Sequence, residues 1–269
     1  MTTRPPRLVA TDLDGTLLRS DGTLSERTAR ALRAAADAGI EVVFVTARPP
    51  RWLDALAGAV AGHGTVICGN GAFVYEVGTR LVRDVRGFSP ELLREVVRGI
   101  RQAVPDAAFA AERTTGLWWE PGFTHDPDHP VGQESVVGPI EQLDQAVVGK
   151  LLARSASLPA AEFLDRVARS VGARAQVAYS GAGGLAEINA RGVTKAAALE
   201  RWAARLGIGP ADVWAFGDMP NDLPMLRWAG VAHAVANAHP DVRAAADRRC
   251  ASNDDDGVAR VLEELLAKV

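Results

Sequence analysis

The stretch Leu8–Leu17, with the sequence LVATDLDGTL, constrains the fold more than any other part of the chain. It begins as an apolar run of strand length, and Asp12 and Asp14 follow before Gly15 permits a turn. Because alternate residues of a strand point to opposite faces, the two aspartates start on one side. Adjacent carboxylates repel each other and are tolerated best around a cation. The stretch therefore predicts a Mg²⁺ site at the carboxyl end of a parallel strand, where open α/β sheets bind ligands.

Paired aspartates before a glycine also occur in calcium-binding loops and in ordinary turns. An EF-hand loop that begins at Asp12 requires Gly at its sixth position and Glu at its twelfth. Those positions hold Leu17 and Thr23, which excludes an EF-hand. A strand and turn with solvated aspartates stays open on this stretch alone.

The composition is that of an ordinary soluble protein with ample material for a core. The 269 residues are 48% hydrophobic and 23% charged, with a formal net charge of −3, so no basic field recruits nucleic acid or an anionic membrane. The sequence has neither a membrane-spanning apolar run nor the apolar segment of a signal peptide. Two cysteines, Cys68 and Cys250, provide no disulfide framework. Together these features predict a cytoplasmic protein.

The first and last parts of the chain alternate apolar strand-like runs with amphipathic segments. Strands are predicted at the opening stretch, 40–45, 65–68, 213–216 and 231–235, and helices at 26–38, 50–61, 194–206, 223–228 and 258–266. Ser25 is the expected N-cap of the first helix, although Thr23 with Glu26 would make a capping box instead. The alternation predicts a doubly wound, mainly parallel sheet.

The middle of the chain has a different rhythm, with hairpins and two helices. Strands are predicted at 73–76, 81–85, 108–113, 117–120, 147–153 and 174–180, helices at 89–104 and 160–171, and a long loop at 121–139. This pattern indicates an α+β insert. The chain is therefore divided into residues 1–84, 85–187 and 188–269, with the insert in the middle.

Polar clusters follow several of the predicted core strands. Asp12 and Asp14, Thr46, and the run Asp218–Asp222 all fall at carboxyl ends, which share one edge of a doubly wound sheet. Lys195 begins a helix, where the helix dipole disfavours a cation unless an anion is bound there. Carboxylates, an ammonium, a hydroxyl and an amide together suit a divalent metal and a phosphate.

Four motifs carry a resemblance to a known family: DLDGTL at 12–17, TAR at 46–48, GVTK at 192–195 and GDMPND at 217–222. In order, in spacing and in the position of the insert, they resemble the haloacid dehalogenase (HAD) superfamily, most closely its Cof-type sugar phosphatases. LAEI at 185–188 is similar to the family's return from cap to core. The resemblance implies a Rossmann-like core with an α+β cap domain inserted after the third core strand.

The resemblance also implies a role for each motif residue. Asp12 would be the nucleophile that carries a covalent aspartyl-phosphate. Asp14 would be the general acid and then the base, and its backbone carbonyl would contact Mg²⁺. Direct Mg²⁺ contacts are thus expected from Asp12, Asp14 and Asp218, with Asp222 as a supporting carboxylate. The residues expected to hold phosphate are Thr46, the amide of Ala47, Lys195 and Asn221.

One residue departs from the pattern, because Ala47 stands where the family commonly has Gly. Its amide is retained, but its Cβ crowds the approach to phosphate. The neighbouring Arg48 is predicted either to contact substrate or to form a structural salt bridge. Protonated Asp14 requires a raised pKa, which neighbouring carboxylates would supply.

Other residues carry weaker signals. His125 and His129 could form a Zn²⁺ site, but nearby prolines argue against a helix that presents both rings, and a solvated cap loop is the default. Trp118 and Trp119 face opposite ways in a strand, so one is expected in the cap core, while the other, with Arg113, contacts substrate or seals the site. The run at 254–256 is expected to cap the last helix.

The expected activity is Mg²⁺-dependent hydrolysis of a small phosphorylated metabolite, such as a sugar phosphate. A phosphomutase would share the core but requires a cap that retains the phosphorylated product. A non-catalytic protein that binds phosphometabolites is the alternative without chemistry, and the full set Asp12, Asp14, Lys195 and Asp218 argues against it. A module that binds nucleic acid or a protein partner fits the net charge least.

Overall fold

The computed structural model of the protein describes residues 5–53, 64–125, 131–132, 134–143, 147–180 and 183–267. In these ranges the chain forms two β-sheets with helices packed against them, which confirms the predicted α/β class. The strands are Leu8–Thr11 (β1), Glu41–Val45 (β2), Thr65–Cys68 (β3), Phe73–Glu76 (β4), Leu81–Val85 (β5), Ala108–Glu112 (β6), Leu117–Trp119 (β7), Val136–Val137 (β8), Lys150–Arg154 (β9), Ala175–Ala178 (β10), Ala186–Ala190 (β11), Val213–Gly217 (β12), Val231–Ala234 (β13) and Arg248–Arg249 (β14).

The larger sheet has the order β14-β13-β12-β1-β2-β3-β4-β5. Strands β14 to β3 pair in parallel, whereas β4 and β5 add an antiparallel hairpin at one edge. β1 lies at the centre between β12 and β2, and its four residues are fully buried, as expected for an apolar strand covered on both faces. The carboxyl ends of β1, β2 and β12 therefore meet at one edge.

The smaller sheet has the order β10-β11-β9-β6-β7-β8 and is antiparallel except for the β7–β8 pair. Except for the end of β11, its strands lie within residues 85–187, the range predicted for the insert. Its last strand in sequence, β11, continues to Ala190, three residues past the predicted end of the insert at 187. The boundaries of the insert at 85 and 187 stay a prediction.

The helices of the described ranges are Glu26–Asp37 (α1), Pro90–Ala103 (α2), Ala160–Val171 (α3), Lys195–Arg205 (α4), Leu223–Trp228 (α5), Pro240–Ala245 (α6) and Gly257–Leu266 (α7). Ser25, Ser89 and Thr194 cap α1, α2 and α4, and each side chain accepts a hydrogen bond from a backbone N–H three residues ahead. Ser25 therefore caps α1, as expected, and the alternative capping box of Thr23 and Glu26 is not formed.

Several predicted elements differ from the structure. Of the helix expected over 50–61, the structure describes a 3₁₀ turn over Pro50–Trp52, and residues 54–61 lie outside the described ranges. The strand expected over 147–153 begins only at Lys150, because Val148 makes a single bridge to Phe88. The loop predicted over 121–139 contains β8, and the sequence did not indicate α6 or β14.

The aspartates before α7 do not cap it through their side chains. Asp256 occupies the N-cap position with a φ of 56°, but its carboxylate accepts from the Arg19 guanidinium at 3.1 Å instead. Asp254 accepts from the backbone N–H and the hydroxyl of Ser20 at 2.8 and 2.6 Å. The capping prediction was wrong, because these carboxylates bind the segment that follows β1.

Candidate active site

A cavity of about 280 Å³ lies between the carboxyl edge of the larger sheet and one face of the smaller sheet. Asp12 and Asp14, which follow β1, line it together with Ala47 and Arg48, which follow β2. Lys195 and Asn221 also line it on this side, and residues of β6, β7, β9 and β11 contribute to the opposite wall. The topology therefore brings together most of the residues that the sequence singled out.

Asp12 is buried at the end of β1, where its backbone N–H donates to the Phe216 carbonyl at 3.0 Å. Its Oδ1 lies 2.5 Å from Nζ of Lys195. Burial raises the pKa of Asp12 well above its usual value; the Lys195 charge counteracts this rise, while Asp222 and Asp218 add to it.

Lys195 is the first residue of α4 and is 2% exposed. Its Nζ bridges Asp12 and Asp222, at 2.5 and 2.7 Å. Burial by itself would lower the pKa of Lys195, but the charges of Asp12 and Asp222 outweigh it, so the pKa is raised and the ammonium stays charged. Gly71, with a φ of 100°, lets α4 begin this close, because a Cβ there would lie 2.2 Å from the Thr194 carbonyl oxygen.

Asp218 follows β12 and approaches the turn after β1. Its Oδ1 accepts from the Thr16 hydroxyl at 2.9 Å, and a Cβ at Gly15 would lie 2.4 Å from its Oδ2. Burial raises the pKa of Asp218 to about 6, with a further contribution from the charge of Asp222. The glycine in the DLDGTL motif thus makes room for a carboxylate from a distant part of the chain.

Asp222 is completely buried and holds its neighbours in place. Its Oδ2 accepts from the backbone N–H groups of Asp218 and Met219, both at 3.1 Å, and its Oδ1 accepts from Lys195. Its oxygens are thus engaged by protein donors, and its supporting role at a metal stays a prediction.

Three carboxylates gather around a single ammonium. Asp12, Asp218 and Asp222 each offer an oxygen, and these oxygens lie within 4.8 Å of one another. Lys195 is the cation bonded to this cluster, through Asp12 and Asp222. Burial is the main cause of the raised pKa values of Asp12 and Asp218, and the charges of the neighbouring carboxylates add to it. Hard oxygen ligands that lack positive charge suit a divalent cation, so the residues fit a metal ion such as Mg²⁺.

Asp14 has a different environment from the one predicted. Its side chain is 54% exposed, and the Arg48 guanidinium binds it with two hydrogen bonds, Nη2 to Oδ1 at 2.5 Å and Nε to Oδ2 at 2.8 Å. A cation, and not the neighbouring carboxylates, therefore contacts this carboxyl group, because the turn at Gly15 directs it away from the buried cluster. The structure shows a salt bridge for Arg48, which also lines the cavity, and its contact with substrate stays a prediction.

The remaining predicted phosphate contacts differ in how they face the cavity. Ala47 and Asn221 line it, and the Asn221 amide donates to Oδ1 of Asn70 at 3.3 Å. Thr46 is buried and is not part of the lining; its hydroxyl accepts from the Arg48 N–H at 3.0 Å. Thr46 thus shapes the turn after β2, and its contact with phosphate stays a prediction.

The predicted aromatic contacts from the cap lie away from the cavity lining. Arg113 donates to the Glu134 carbonyl and lies over the Trp118 ring, whose indole N–H donates to the Gly138 carbonyl at 3.0 Å. Trp119 packs edge-on against His125, with ring centroids 5.3 Å apart. His125 lines the cavity, whereas His129, the second half of the possible Zn²⁺ pair, lies outside the described residues.

Two buried ion pairs in the cavity wall were not anticipated. Arg51 pairs with Glu112 of β6 at 2.8 Å, and both side chains are at most 7% exposed. Lys150 of β9 pairs with Glu187 of β11 at 2.9 Å, and its Nζ also donates to the Ala47 carbonyl at 2.7 Å. The signal in the sequence was a lone charge within an otherwise apolar strand, which is costly unless it is paired.

Glu187 has further partners that connect the two sheets. Besides Lys150, it accepts from the Ser180 hydroxyl and from Asn70, whose amide lies 2.9 Å from Oε2. Burial opposes ionisation of Glu187, yet these partners, Lys150 foremost, hold its pKa below the usual value. Asn70 follows β3 and binds Asn221 with its other amide atom, so one network joins the cap strands to the predicted phosphate site.

Comparison with known proteins agrees with this geometry. The model of the family described as haloacid dehalogenase-like hydrolase matches residues 9–262. The chain belongs to this family. The HAD resemblance, including its Cof-type branch, and the prediction of a hydrolytic enzyme are thereby confirmed.

Individual members of the HAD-like family match over almost their full length. A phosphoglycolate phosphatase of Halorubrum lacusprofundi is 31% identical, with 97% of each chain covered. A 5-amino-6-(5-phospho-D-ribitylamino)uracil phosphatase of Bacillus subtilis, YitU, is 29% identical over 96% of this chain and 97% of its own. The solved structure of SMU.1108c from Streptococcus mutans superposes with a TM-score of 0.84 at 26% identity, covering 97% of this chain and 99% of that one.

Among the helices of the described ranges, none combines the length and the apolar character needed to cross a bilayer.

Proposed function

We propose that this HAD-like hydrolase is a Mg²⁺-dependent phosphatase that hydrolyses small phosphomonoesters through an aspartyl-phosphate on Asp12. One observation carries the proposal: Asp12, Lys195 and Asp218 form one buried cluster that opens onto the cavity. The relatives support the class of substrate, since the Halorubrum lacusprofundi and Bacillus subtilis proteins compared above are each named as the phosphatase of a phosphorylated metabolite.

The first step joins the substrate to the protein. An Asp12 oxygen attacks the phosphorus atom, and the bond from phosphorus to the ester oxygen breaks as the new bond forms. Attack by a carboxylate on a phosphate dianion meets like-charge repulsion, and Lys195 reduces it from a distance of 2.5 Å. Mg²⁺, held by Asp12, Asp218 and the backbone carbonyl of Asp14, would neutralise further charge on the phosphate oxygens.

Asp14 handles the protons in both steps. As an acid it gives a proton to the departing alcohol oxygen, and as a base it takes one from the water that attacks the phosphorus atom of the intermediate. That attack releases inorganic phosphate and restores the Asp12 carboxylate. Because Arg48 now binds both Asp14 oxygens, it must release at least one of them before Asp14 can contact a leaving group.

The proposal is tested by measuring phosphate release from a panel of phosphomonoesters with Mg²⁺ and with EDTA. We expect release by the wild-type protein with Mg²⁺, and a loss of at least a thousandfold in Asp12→Asn. Asp37→Asn, an exposed aspartate at the end of α1, is the matched control and should retain full activity. Undiminished release by Asp12→Asn, or in EDTA, would contradict the proposal.

The same assay separates hydrolysis from phosphoryl transfer within a sugar. A phosphatase accumulates inorganic phosphate in proportion to the ester that is consumed. A phosphomutase would instead convert one sugar phosphate to its isomer with little free phosphate.

A further inference from the structure

Strand β9 forms part of the cavity wall and presents alternate residues to the cavity. Lys150, Leu152 and Arg154 all line it, whereas Leu151 and Ala153 are fully buried in the main core on the other face. This follows from the two-residue period of a strand. The three cavity-facing residues therefore mark three successive levels of the wall.

The first level lies next to the proposed phosphate site and is fully satisfied. Lys150 contacts the Ala47 carbonyl and Glu187, and Glu112, its cross-strand partner on β6, is paired with Arg51. Since each of these charges has a buried partner, this level supports the loop that carries Ala47 and offers little to the rest of a substrate.

The second level is apolar. Leu152 faces Ala110 across the β6–β9 pair, and together with Leu117 and Phe123 they form a small buried cluster that is separate from the main core. Leu117, Phe123, Leu152 and the adjoining Leu185 also line the cavity. Sugar hydroxyls placed against this surface would lose hydrogen bonds with water and gain none, whereas a flat apolar ring would bury its faces at no such cost.

The third level holds a guanidinium group, that of Arg154, with few hydrogen-bond partners in the protein. Arg154 makes a single long contact, from Nη1 to the Gly183 carbonyl at 3.5 Å, and its Nε is shielded from solvent without a hydrogen-bond partner. Among the residues that the structure describes, no carboxylate lies within 4.0 Å of its guanidinium. Buried guanidinium N–H groups without acceptors are rare in folded proteins, so this one is suited to an acceptor on a ligand.

We propose that Arg154 and the apolar level before it form a distal subsite for the leaving group of the phosphomonoester. The preferred substrate is then an ester whose alcohol carries a flat ring with a carbonyl-type oxygen at its far end. Arg154 lies four positions along the strand from Lys150, a distance of about 13 Å at the usual rise per residue. A leaving group that reaches Arg154 is therefore longer than a simple sugar or a two-carbon acid. This inference rests on the proposed phosphatase activity and specifies its substrate class.

A matched pair of esters isolates the ring. Uridine 5′-monophosphate and ribose 5-phosphate share a ribose phosphate, and only the first carries a flat ring with carbonyl oxygens; flavin mononucleotide is a longer ester of the same kind. We expect kcat/KM to be at least about tenfold higher for one of the two ring-bearing esters than for ribose 5-phosphate. Equal or better hydrolysis of ribose 5-phosphate than of both would overturn the proposal.

Variants then assign the preference to Arg154. Arg154→Met is expected to lower kcat/KM for the favoured ring-bearing ester at least fivefold more than for ribose 5-phosphate, and Arg154→Lys should restore part of the difference. Arg169→Met is the control, because Arg169 is exposed on α3 and pairs with Asp165 one turn earlier. An equal loss for all three esters in Arg154→Met would mean that Arg154 serves the fold through Gly183.

Failure of this inference can be told apart from failure of the phosphatase proposal. If the phosphatase proposal is wrong, none of the three esters releases phosphate, or release survives Asp12→Asn. If only the subsite is wrong, release depends on Asp12 but shows no preference for a ring.

Discussion

Gly15 shows how a single residue without a side chain determines the geometry of the site. At a φ of 78°, it lies against the Asp218 carboxylate, where any Cβ would come within 2.4 Å of an oxygen. We predict that Gly15→Ala displaces Asp218 and lowers Mg²⁺-dependent activity at least a hundredfold. Gly22→Ala is the control, because Gly22 has a φ of 79° and open space around it, so it reports the backbone strain of about 1 kcal/mol alone. Equal losses in the two variants would contradict this prediction.

His233 gives a prediction about pH that is independent of the active site. It is 1% exposed and stacks on Phe216 with ring centroids 4.5 Å apart, and burial lowers its pKa to about 4, assisted by the charge of Arg248. The unfolded chain binds a proton near pH 6.5 while the folded chain does not, so stability from this residue is present above pH 6.5 and is lost towards pH 4. The loss amounts to about 3 kcal/mol.

Replacement of His233 tests this sign. Urea denaturation at pH 7 and pH 4.5 gives the free energy of unfolding at each pH. Between these two pH values, it should fall about 2 kcal/mol less in His233→Phe than in the wild-type protein. Identical pH dependence of the two proteins would show that His233 does not titrate on unfolding.

At this scale the sequence predicts some residues well and others poorly. Asp12, Lys195 and Asp218 could be placed together because each stands at the end of a recognisable element on one edge of the sheet. The partner of Asp14 could not be predicted, because it depends on the direction in which the Gly15 turn points a side chain. The same holds for Thr46, whose hydroxyl is taken by a local backbone N–H.

At the scale of elements, the buried Arg51–Glu112 pair is one of the polar connections between the segment after β2 and the smaller sheet. We predict that Glu112→Gln costs about 3 kcal/mol of stability, because it leaves the buried Arg51 charge without its carboxylate. Asp165→Asn breaks an exposed pair in α3 and should cost at most about 0.5 kcal/mol. Urea denaturation measures both, and similar costs would mean that the Arg51–Glu112 pair is not desolvated.

Elements were predictable from sequence where the apolar period was sustained. The strands and helices around β1, β2, β12 and α4 were predicted within a few residues for that reason. By contrast, α6 is six residues long and β14 only two, so neither shows a readable period. The start of β9 was misjudged because Val147 and Val148 are apolar but remain outside the ladder, and pairing with β6 decides where a strand begins.

For the molecule as a whole, one continuous cluster of buried apolar side chains includes residues of both sheets. Phe73 of β4 packs so closely on Gly149 that a Cβ there would lie 2.2 Å from the ring. We therefore predict that the two sheets unfold together. In hydrogen exchange, the most protected amides of β1 and β6 should show the same opening free energy within about 1 kcal/mol. Faster exchange throughout β6 would show that the insert opens by itself.

The alternation of side chains along β9 has a consequence for how the substrate preference of such an enzyme can change. Leu151 and Ala153 anchor the strand in the main core, while Leu152 and Arg154 face the cavity. With the distal subsite as proposed, a mutation at Arg154 would change substrate preference while the main core and the Asp12 cluster stay unchanged. In nature or in directed evolution, activity on new metabolites would then arise by substitutions at the cavity-facing end of one short strand.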